Sequence, residues 1–357
     1  MALPDTFVAG FHDEAAVRKM RYNVLGNTRL RVSHMAFGGG ALGGPNTYGE
    51  YDEADAISAV HQALKQGINY IDTAPWYGQG RSEELLGKAL KDIPRNAYYI
   101  GTKVGRYETD PTKMFDFSRE KTLWSVDHSL KLLGLDYVDI IQVHDIEFAP
   151  NLDIVLNETL PVLQSVVKSG KARYIGVTGY PVSVLKEAVE CSNIKIDTVL
   201  SYTRDTLIDD TLKKFLPFFQ SKGLGIINAA GVSMGLLSNA GPPSWHPAPE
   251  HVKEACAAAG QYCKERGVEL AQLAQHYTMA QPGIATHLVG MNSQEVLRSN
   301  LDILNNGLSA LQKQVLQEIN TQYVVIVIIQ LISWLFNDMV SDIKVFVVIN
   351  KRVNNHE

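Results

Sequence analysis

What most limits the folds open to this chain is an alternation: eight short apolar or β-branched runs, separated by stretches whose apolar residues recur every three or four positions. The runs fall at residues 35–37, 69–72, 97–101, 137–143, 172–177, 198–201, 225–228 and 286–289. Helical periodicity fills the intervals at 52–66, 82–90, 118–133, 151–169, 182–191, 210–222, 249–266 and 293–304. Each of these presents one apolar face, as needed to cover the outside of a parallel sheet. No linker rich in Pro, Gly and Ser divides the series, so the pattern predicts α/β class and one closed (β/α)8 TIM barrel rather than two domains. Ser82 ahead of Glu83 and Glu84, and Ser293 ahead of Glu295, are read as helix-capping positions. Residues 22–32 read as a small N-terminal β-hairpin around a Gly26-Asn27 turn. Gly38, Gly39, Gly40, Gly43 and Gly44 read as a tight, exposed turn after the first run. Their spacing is not G-x-G-x-x-G opening a helix, which counts against a doubly wound dinucleotide fold.

Of the 357 residues, 45% are hydrophobic and 20% charged, enough apolar material for a buried core. The net charge of −5 comes without a basic run, which disfavours nucleic acid and anionic membranes and points to a small-molecule partner. Cys191, Cys256 and Cys263 have neither metal-ligand spacing nor the even number of a disulfide framework, so a reducing compartment and no metal are expected. Cys256 and Cys263 lie two helical turns apart and read as packed thiols. Residues 1–20 mix charges with short apolar pieces and lack a secretory core, making the cytoplasm the expected location; a monomer or weak dimer is expected. Residues 1–19 are assigned to a lead, 20–320 to the barrel and 321–357 to an atypical tail. Its run at 323–336 is almost uncharged, yet shorter than the roughly 18 to 20 residues of a membrane span. It reads as a buried strand, a docked helix or an aggregation-prone extension.

Barrel enzymes carry their reactive groups at the C-terminal ends of the strands. Four polar residues fall there: Asp72, Tyr77, Lys103 and His144. A carbonyl that accepts hydride becomes an alkoxide and needs a proton, but a free phenol near pKa 10 is a slow acid at neutral pH. Lys103 beside Tyr77 is expected to lower that pKa, Asp72 to hold and compensate the ammonium, and neutral His144 to hydrogen-bond the substrate oxygen.

The segments around these residues resemble the aldo-keto reductase family. Tyr70-Ile71-Asp72-Thr73-Ala74-Pro75-Trp76-Tyr77-Gly78, with Ser82-Glu83-Glu84-Leu85-Leu86-Gly87 after it, is similar to the family's most distinctive signature. Gly101-Thr102-Lys103-Val104 and Gln142-Val143-His144-Asp145 match its next two blocks, and the resemblance covers roughly residues 22–320. Val104-Gly105-Arg106-Tyr107, Gly176-Val177-Thr178-Gly179-Tyr180 and Val289-Gly290-Met291-Asn292-Ser293 resemble the L-galactose dehydrogenase-like branch.

The resemblance implies an NAD(P)-dependent oxidoreductase acting on an aldose of the L-galactose or D-arabinose kind, or on a small aldehyde, with Tyr77 as general acid and base. It also implies two cofactor segments. A phosphate loop at 228–237 includes Ala230, Gly231, Val232, Ser233, Gly235 and Leu236. A ribose-adenine clamp at 290–300 includes Gly290, Met291, Asn292, Ser293 and Asn300. Where the family commonly grips the carboxamide with Ser-Asn and Gln, this chain has Thr178-Gly179 and Ser201, whose hydroxyls are shorter substitutes. Ala229 stands where many members stack an aromatic on the nicotinamide. The clamp carries Glu295 and no cation except Arg298, which implies a modest preference for NAD over NADP. Trp76 and Tyr107 are candidates for an aromatic substrate wall, along with His144. An alternative reading is a nucleotide-binding redox sensor of the potassium-channel auxiliary-subunit type, in which the same tetrad is retained.

Overall fold

The computed structural model describes residues 2–45 and 47–321; the apolar run expected at 323–336 lies outside the described residues. Eight parallel strands close into a barrel. In chain order the strands are β1 Tyr22–Val24 and β2 Arg31–Ser33, followed by the barrel strands β3 Met35–Gly38, β4 Tyr70–Asp72, β5 Tyr99–Val104, β6 Val138–Val143, β7 Ala172–Gly179, β8 Thr198–Tyr202, β9 Gly225–Ala229 and β10 Thr286–Gly290. Strands β3 to β9 follow one another around the wall, and β10 joins β9 to β3. The helices are α1 Glu14–Lys19, α2 Glu53–Lys65, α3 Arg81–Leu90, α4 Arg119–Leu133, α5 Leu152–Ile154, α6 Leu160–Lys168, α7 Val182–Cys191, α8 Leu216–Ser221, α9 Glu250–Lys264, α10 Leu270–Met279, α11 Gln294–Asn306 and α12 Ala310–Ile319. Among the described residues, no helix is long and apolar enough to cross a membrane.

Strand alternation divides the core in two. Tyr70, Tyr99, Ile140, Leu200, Ile227 and Leu288 belong to a cluster within the barrel, while Phe37, Ile71, Ile100, Ile141, Val177 and Val199 pack with the helices. The N-terminal hairpin seals the base. Leu25 and Leu30 join the inner cluster, the Asn27 amide donates to the Gly223 carbonyl at 2.8 Å, and the Tyr174 hydroxyl donates to the Thr28 carbonyl at 2.7 Å. Gly26 has φ +52, and a Cβ there would collide with the backbone of Leu224 and Gly225, so only glycine lets the turn lie this close to β9.

Several local expectations are corrected. The stretch 151–169 is not one helix: α5 passes through a π-turn at Val155–Thr159 into α6. Pro161, near the start of α6, has no N–H to continue a regular ladder. Likewise 210–222 divides into a 3-10 turn, Thr211–Lys214, and the short α8, in whose first turn Pro217 has no N–H to continue the ladder back into the preceding turn. The third run begins later than expected, with Ala97 in a 3-10 turn, and Lys103 sits inside β5 rather than after it. Ser82 does not cap α3, which starts at Arg81 after left-handed Gly80. It is buried instead and donates to the Gly39 carbonyl at 2.9 Å. The glycine turn after β3 is correspondingly not exposed: Gly39, Gly43 and Gly44 are buried, and a Cβ on Gly39 would lie 2.9 Å from the Asp72 carbonyl. Ser293 does cap α11, accepting from the Val296 amide at 3.2 Å.

Candidate active site

Parallel neighbours end on the same side of a barrel, so register alone brings three of the four reactive candidates together. Asp72 pairs with Gly101 across β4 and β5, Lys103 with Gln142 across β5 and β6, and His144 directly follows β6. Lys103 Nζ donates to Asp72 Oδ1, to the Thr73 carbonyl at 2.9 Å and to Tyr77 Oη at 3.2 Å. The Lys103 and Asp72 side chains are each 1% exposed, so each is the other's compensation for lost water. Asp72 Oδ2 accepts from the Tyr70 hydroxyl at 3.1 Å and from Gln142 Nε2 at 2.7 Å. Tyr77 arrives on a turn closed by its own amide to the Ala74 carbonyl at 3.1 Å. The next residue, Gly78 at φ +65, packs so tightly on the Gly43 carbonyl that any Cβ would clash.

Burial works against the Lys103 ammonium, but Asp72 and Tyr77 outweigh it, and Lys103 sits above its ordinary range. His144 is pushed well below its usual 6.5, first by burial and then by Lys103 and Arg106, which keeps the imidazole neutral. Its ring stands edge-to-face to Tyr77 with 5.9 Å between centroids. Tyr77 departs from expectation: burial raises the phenol above its usual 10, Lys103 pulls it down only in part, and Asp72 adds to the rise. Withdrawing a phenolate from water next to a carboxylate costs more than one cation returns. The Tyr77 ring nonetheless remains half-buried and open to the cleft.

That cleft has a volume of about 980 Å³. At one end lie Tyr77, His144 and Trp76, with Tyr48, Tyr202 and Trp245 facing them. From there it runs past Ala229, Ala230, Val232 and Gly235 to Gly290, Asn292 and Asn300. The two expected cofactor segments therefore share one groove with the tetrad. Other expected site residues stand away from its wall. Tyr107 is buried and its hydroxyl accepts from the Gly105 amide at 2.9 Å, so it packs beneath the loop. Met291 and Leu236 belong to the core, and Gly231 packs against Thr278 and Gln275. The Ser233 carbonyl bonds His246 at 3.0 Å, and the Ser293 hydroxyl is spent on its cap. Thr178 Oγ1 accepts from the Asp145 amide at 3.0 Å, which commits it inside the protein. The Asn300 amide donates to the Val296 carbonyl at 3.0 Å.

The residues present fit a dinucleotide. Ala230, Ser233, Met234 and Gly235 have φ of +59, +48, +54 and +88, left-handed turns that fold the segment into a compact loop whose Ser233, Gly235, Leu236 and Leu237 amides donate within it, while Ala230, Val232, Met234 and Gly235 line the cleft where a dinucleotide would lie. Ser201, near the end of β8, is fully buried and stands off the cleft wall, its Oγ without a hydrogen-bond partner. Among the wall residues not singled out from the sequence are Tyr48, Tyr202 and Trp245, and also Arg106 and Asp145, which form a buried ion pair at 2.7 Å. For Arg106 and Asp145 the available signals were that each lies within three residues of a tetrad member and inside a block that resembles the family.

The family model for the aldo/keto reductase family matches residues 34–321. The chain is 42% identical over 286 residues to L-galactose dehydrogenase of Arabidopsis thaliana, spanning 79% of this chain and 88% of that protein. It is 33% identical to D-arabinose 1-dehydrogenase of Saccharomyces cerevisiae, over 76% of this chain and 82% of that one. Among solved structures, the aldo-keto reductase AKR11C1 from Bacillus halodurans, in a holo form, superposes with a TM-score of 0.67 at 28% identity, covering 84% of this chain and 96% of the other. With an eight-stranded barrel, a Lys-Asp-Tyr-His constellation at its mouth and these relatives, the chain belongs to the aldo/keto reductase family and is an NAD(P)-dependent oxidoreductase of its L-galactose dehydrogenase-like branch.

Proposed function

We propose that this protein oxidises the anomeric hydroxyl of an aldose, of the L-galactose or D-arabinose kind, to the lactone, or reduces small aldehydes to alcohols, with NAD preferred to NADP. The observation that carries the reading is the link from Asp72 through Lys103 Nζ to the Tyr77 hydroxyl, 3.2 Å away, at the mouth of a dinucleotide-sized cleft. The bound nicotinamide supplies the acceptor for the hydride that leaves the substrate carbon.

In the oxidative direction, the substrate hydroxyl gives its proton to the Tyr77 phenolate oxygen while the C–H pair departs as hydride and the C=O bond forms. Reduction reverses each transfer, with Tyr77 returning the proton. Lys103 stabilises the phenolate in either direction and Asp72 keeps Lys103 charged and in place. His144, neutral, donates a hydrogen bond to the reacting oxygen and orients it. Proximity of these groups in a half-enclosed cleft removes the cost of gathering them from water.

The coenzyme preference rests on charge. Glu269 and Glu295 face the cleft where it passes α10 and α11, and both would repel a 2′-phosphate. Arg298 is exposed and is not among the cleft-lining residues. The test is reduced-coenzyme absorbance across a panel of aldoses, with NAD and NADP in parallel and Tyr77→Phe as control. Aldose-dependent reduction of NAD that falls by about a hundredfold or more in the control is expected. Full activity in Tyr77→Phe would remove the acid-base assignment, and equal kcat/KM with NADP would remove the preference.

A further inference from the structure

Arg106 and Asp145 line the cleft beside Tyr77 and His144, yet no proton or hydride transfer described above uses them. Their pairing is strongly held. The guanidinium lies 4.1 Å from the centre of the Trp76 ring and 5.3 Å from that of Phe115, so aromatic faces bracket it, and its edge meets Asp145 Oδ2 at 2.7 Å. Asp145 adopts left-handed backbone at φ +54, and its amide donates to Thr178 Oγ1 at 3.0 Å. The two side chains are only 8% and 5% exposed.

Stability does not account for this arrangement. A buried ion pair commonly contributes no more than well-packed apolar residues of the same size, because desolvation cancels the attraction. Arg106 also bonds the Tyr180 side chain, and although its Nε is sealed from the cleft, the Arg106 and Asp145 side chains both line it. A cleft wall of this kind matches a ligand group that donates and accepts at once, and a hydroxyl does both. Its position says which hydroxyl. Asp145 immediately follows His144, and Asp145 Oδ2 lies 3.7 Å from His144 Nε2, so the pair faces the neighbour of whatever atom His144 orients.

We propose that Arg106 and Asp145 read the hydroxyl on the carbon adjacent to the reacting one, so that the substrate class is α-hydroxy aldehydes and the aldoses that contain this unit. The inference rests on the assignment of Tyr77 and His144 to the reacting oxygen. An alkyl substituent at the same place would cover a charge pair without a compensating hydrogen bond, a mismatch that rejects substrates far more strongly than a missing methylene does.

The test compares NADH-dependent reduction of glyceraldehyde and propanal by the wild type, Asp145→Asn and Arg106→Met, with NADH binding followed by fluorescence to confirm that each variant is folded. The wild type is expected to favour glyceraldehyde by about thirtyfold or more in kcat/KM, and each variant to bring the ratio below about threefold. A ratio that survives in both variants overturns the proposal, as does a wild type that turns over both aldehydes equally. If the variants fail to fold, the wild type still decides: oxidation of a 2-deoxy aldose should be slower than that of its 2-hydroxy parent by about tenfold or more, and equal rates overturn the proposal. Failure to turn over any of these compounds would remove the underlying reaction assignment together with the inference, whereas turnover without hydroxyl preference removes the inference alone.

Discussion

Asp72 is held at both oxygens: Oδ1 by Lys103, and Oδ2 by the Tyr70 hydroxyl at 3.1 Å and Gln142 Nε2 at 2.7 Å. Tyr70 rises from the barrel interior, and the space for its hydroxyl exists because Gly101 has no side chain; a Cβ there would lie 2.7 Å from it. By donating to Asp72, the Tyr70 hydroxyl absorbs part of the carboxylate's charge, leaving less of it to act on Lys103 and Tyr77. Asp72 raises the Tyr77 phenol, so loss of that donor should raise it further. Tyr70→Phe is therefore expected to move the rising limb of the kcat/KM profile for oxidation to higher pH, and to lower kcat/KM at neutral pH by about threefold to tenfold. A profile whose rising limb stays in place would reduce Tyr70 to packing. Neutral His144 sits so far below its usual range that its protonation should not shape the same limb.

Helix α3 illustrates what an element contributes beyond its apolar face. Glu83 is fully buried on it; Oε1 accepts from Thr102 Oγ1 on β5 at 2.6 Å, while Oε2 is buried without a partner. Burial pushes the carboxyl from its ordinary 4.5 up to about 7, against the pull of Thr102, Ser129 and Lys103. With the folded value above the unfolded one, the folded protein holds the extra proton. The associated stability is complete below about pH 4.5 and is lost as pH rises through 7, a swing on the order of 3 kcal/mol at its ceiling. Glu83→Gln should flatten the decline of thermal stability between pH 5 and pH 8, by several degrees in Tm at the upper end. A decline as steep as that of the wild type would exclude Glu83 as its source. The sequence placed this residue in a helix's first turn and in the signature block but did not mark it as buried, since Glu in the first turn of a helix ordinarily reads as a solvated complement to the helix dipole. The same limit explains Ser82, which looks like a cap but folds inward because the glycine turn after β3 comes to meet it. Strand and helix periodicity, by contrast, made all eight barrel strands legible, since a two-residue and a 3.6-residue repeat survive any tertiary context. The tetrad was legible because strand ends in a barrel are one-dimensional addresses. Arg106 and Asp145 were not, because their meaning lies in a pairing across two loops.

At the scale of the whole molecule, closure of the barrel explains how residues more than two hundred positions apart line one groove. β10 pairs with β3 on one side and β9 on the other, placing Gly290 beside Gly38 and Leu288 beside Ala229. The two segments expected to hold the cofactor thus become neighbours through the strand that completes the ring, while the hairpin at the opposite end keeps the interior sealed. The last described helix, α12, is anchored by a complete capping box at Ser309 and Gln312 and by buried Val315 and Ile319. Among the described residues, those lining the cleft all lie between Gly38 and Asn300. Nucleotide binding should therefore be complete before the tail begins. A chain ending at Gln322 is expected to bind NADH with a Kd within about threefold of the full-length value, a difference below 1 kcal/mol, as measured by quenching of protein fluorescence. If the truncated chain has native circular dichroism and a cooperative melt but no NADH binding, residues 323–357 contribute to the coenzyme site itself, and the groove defined by the barrel loops is incomplete.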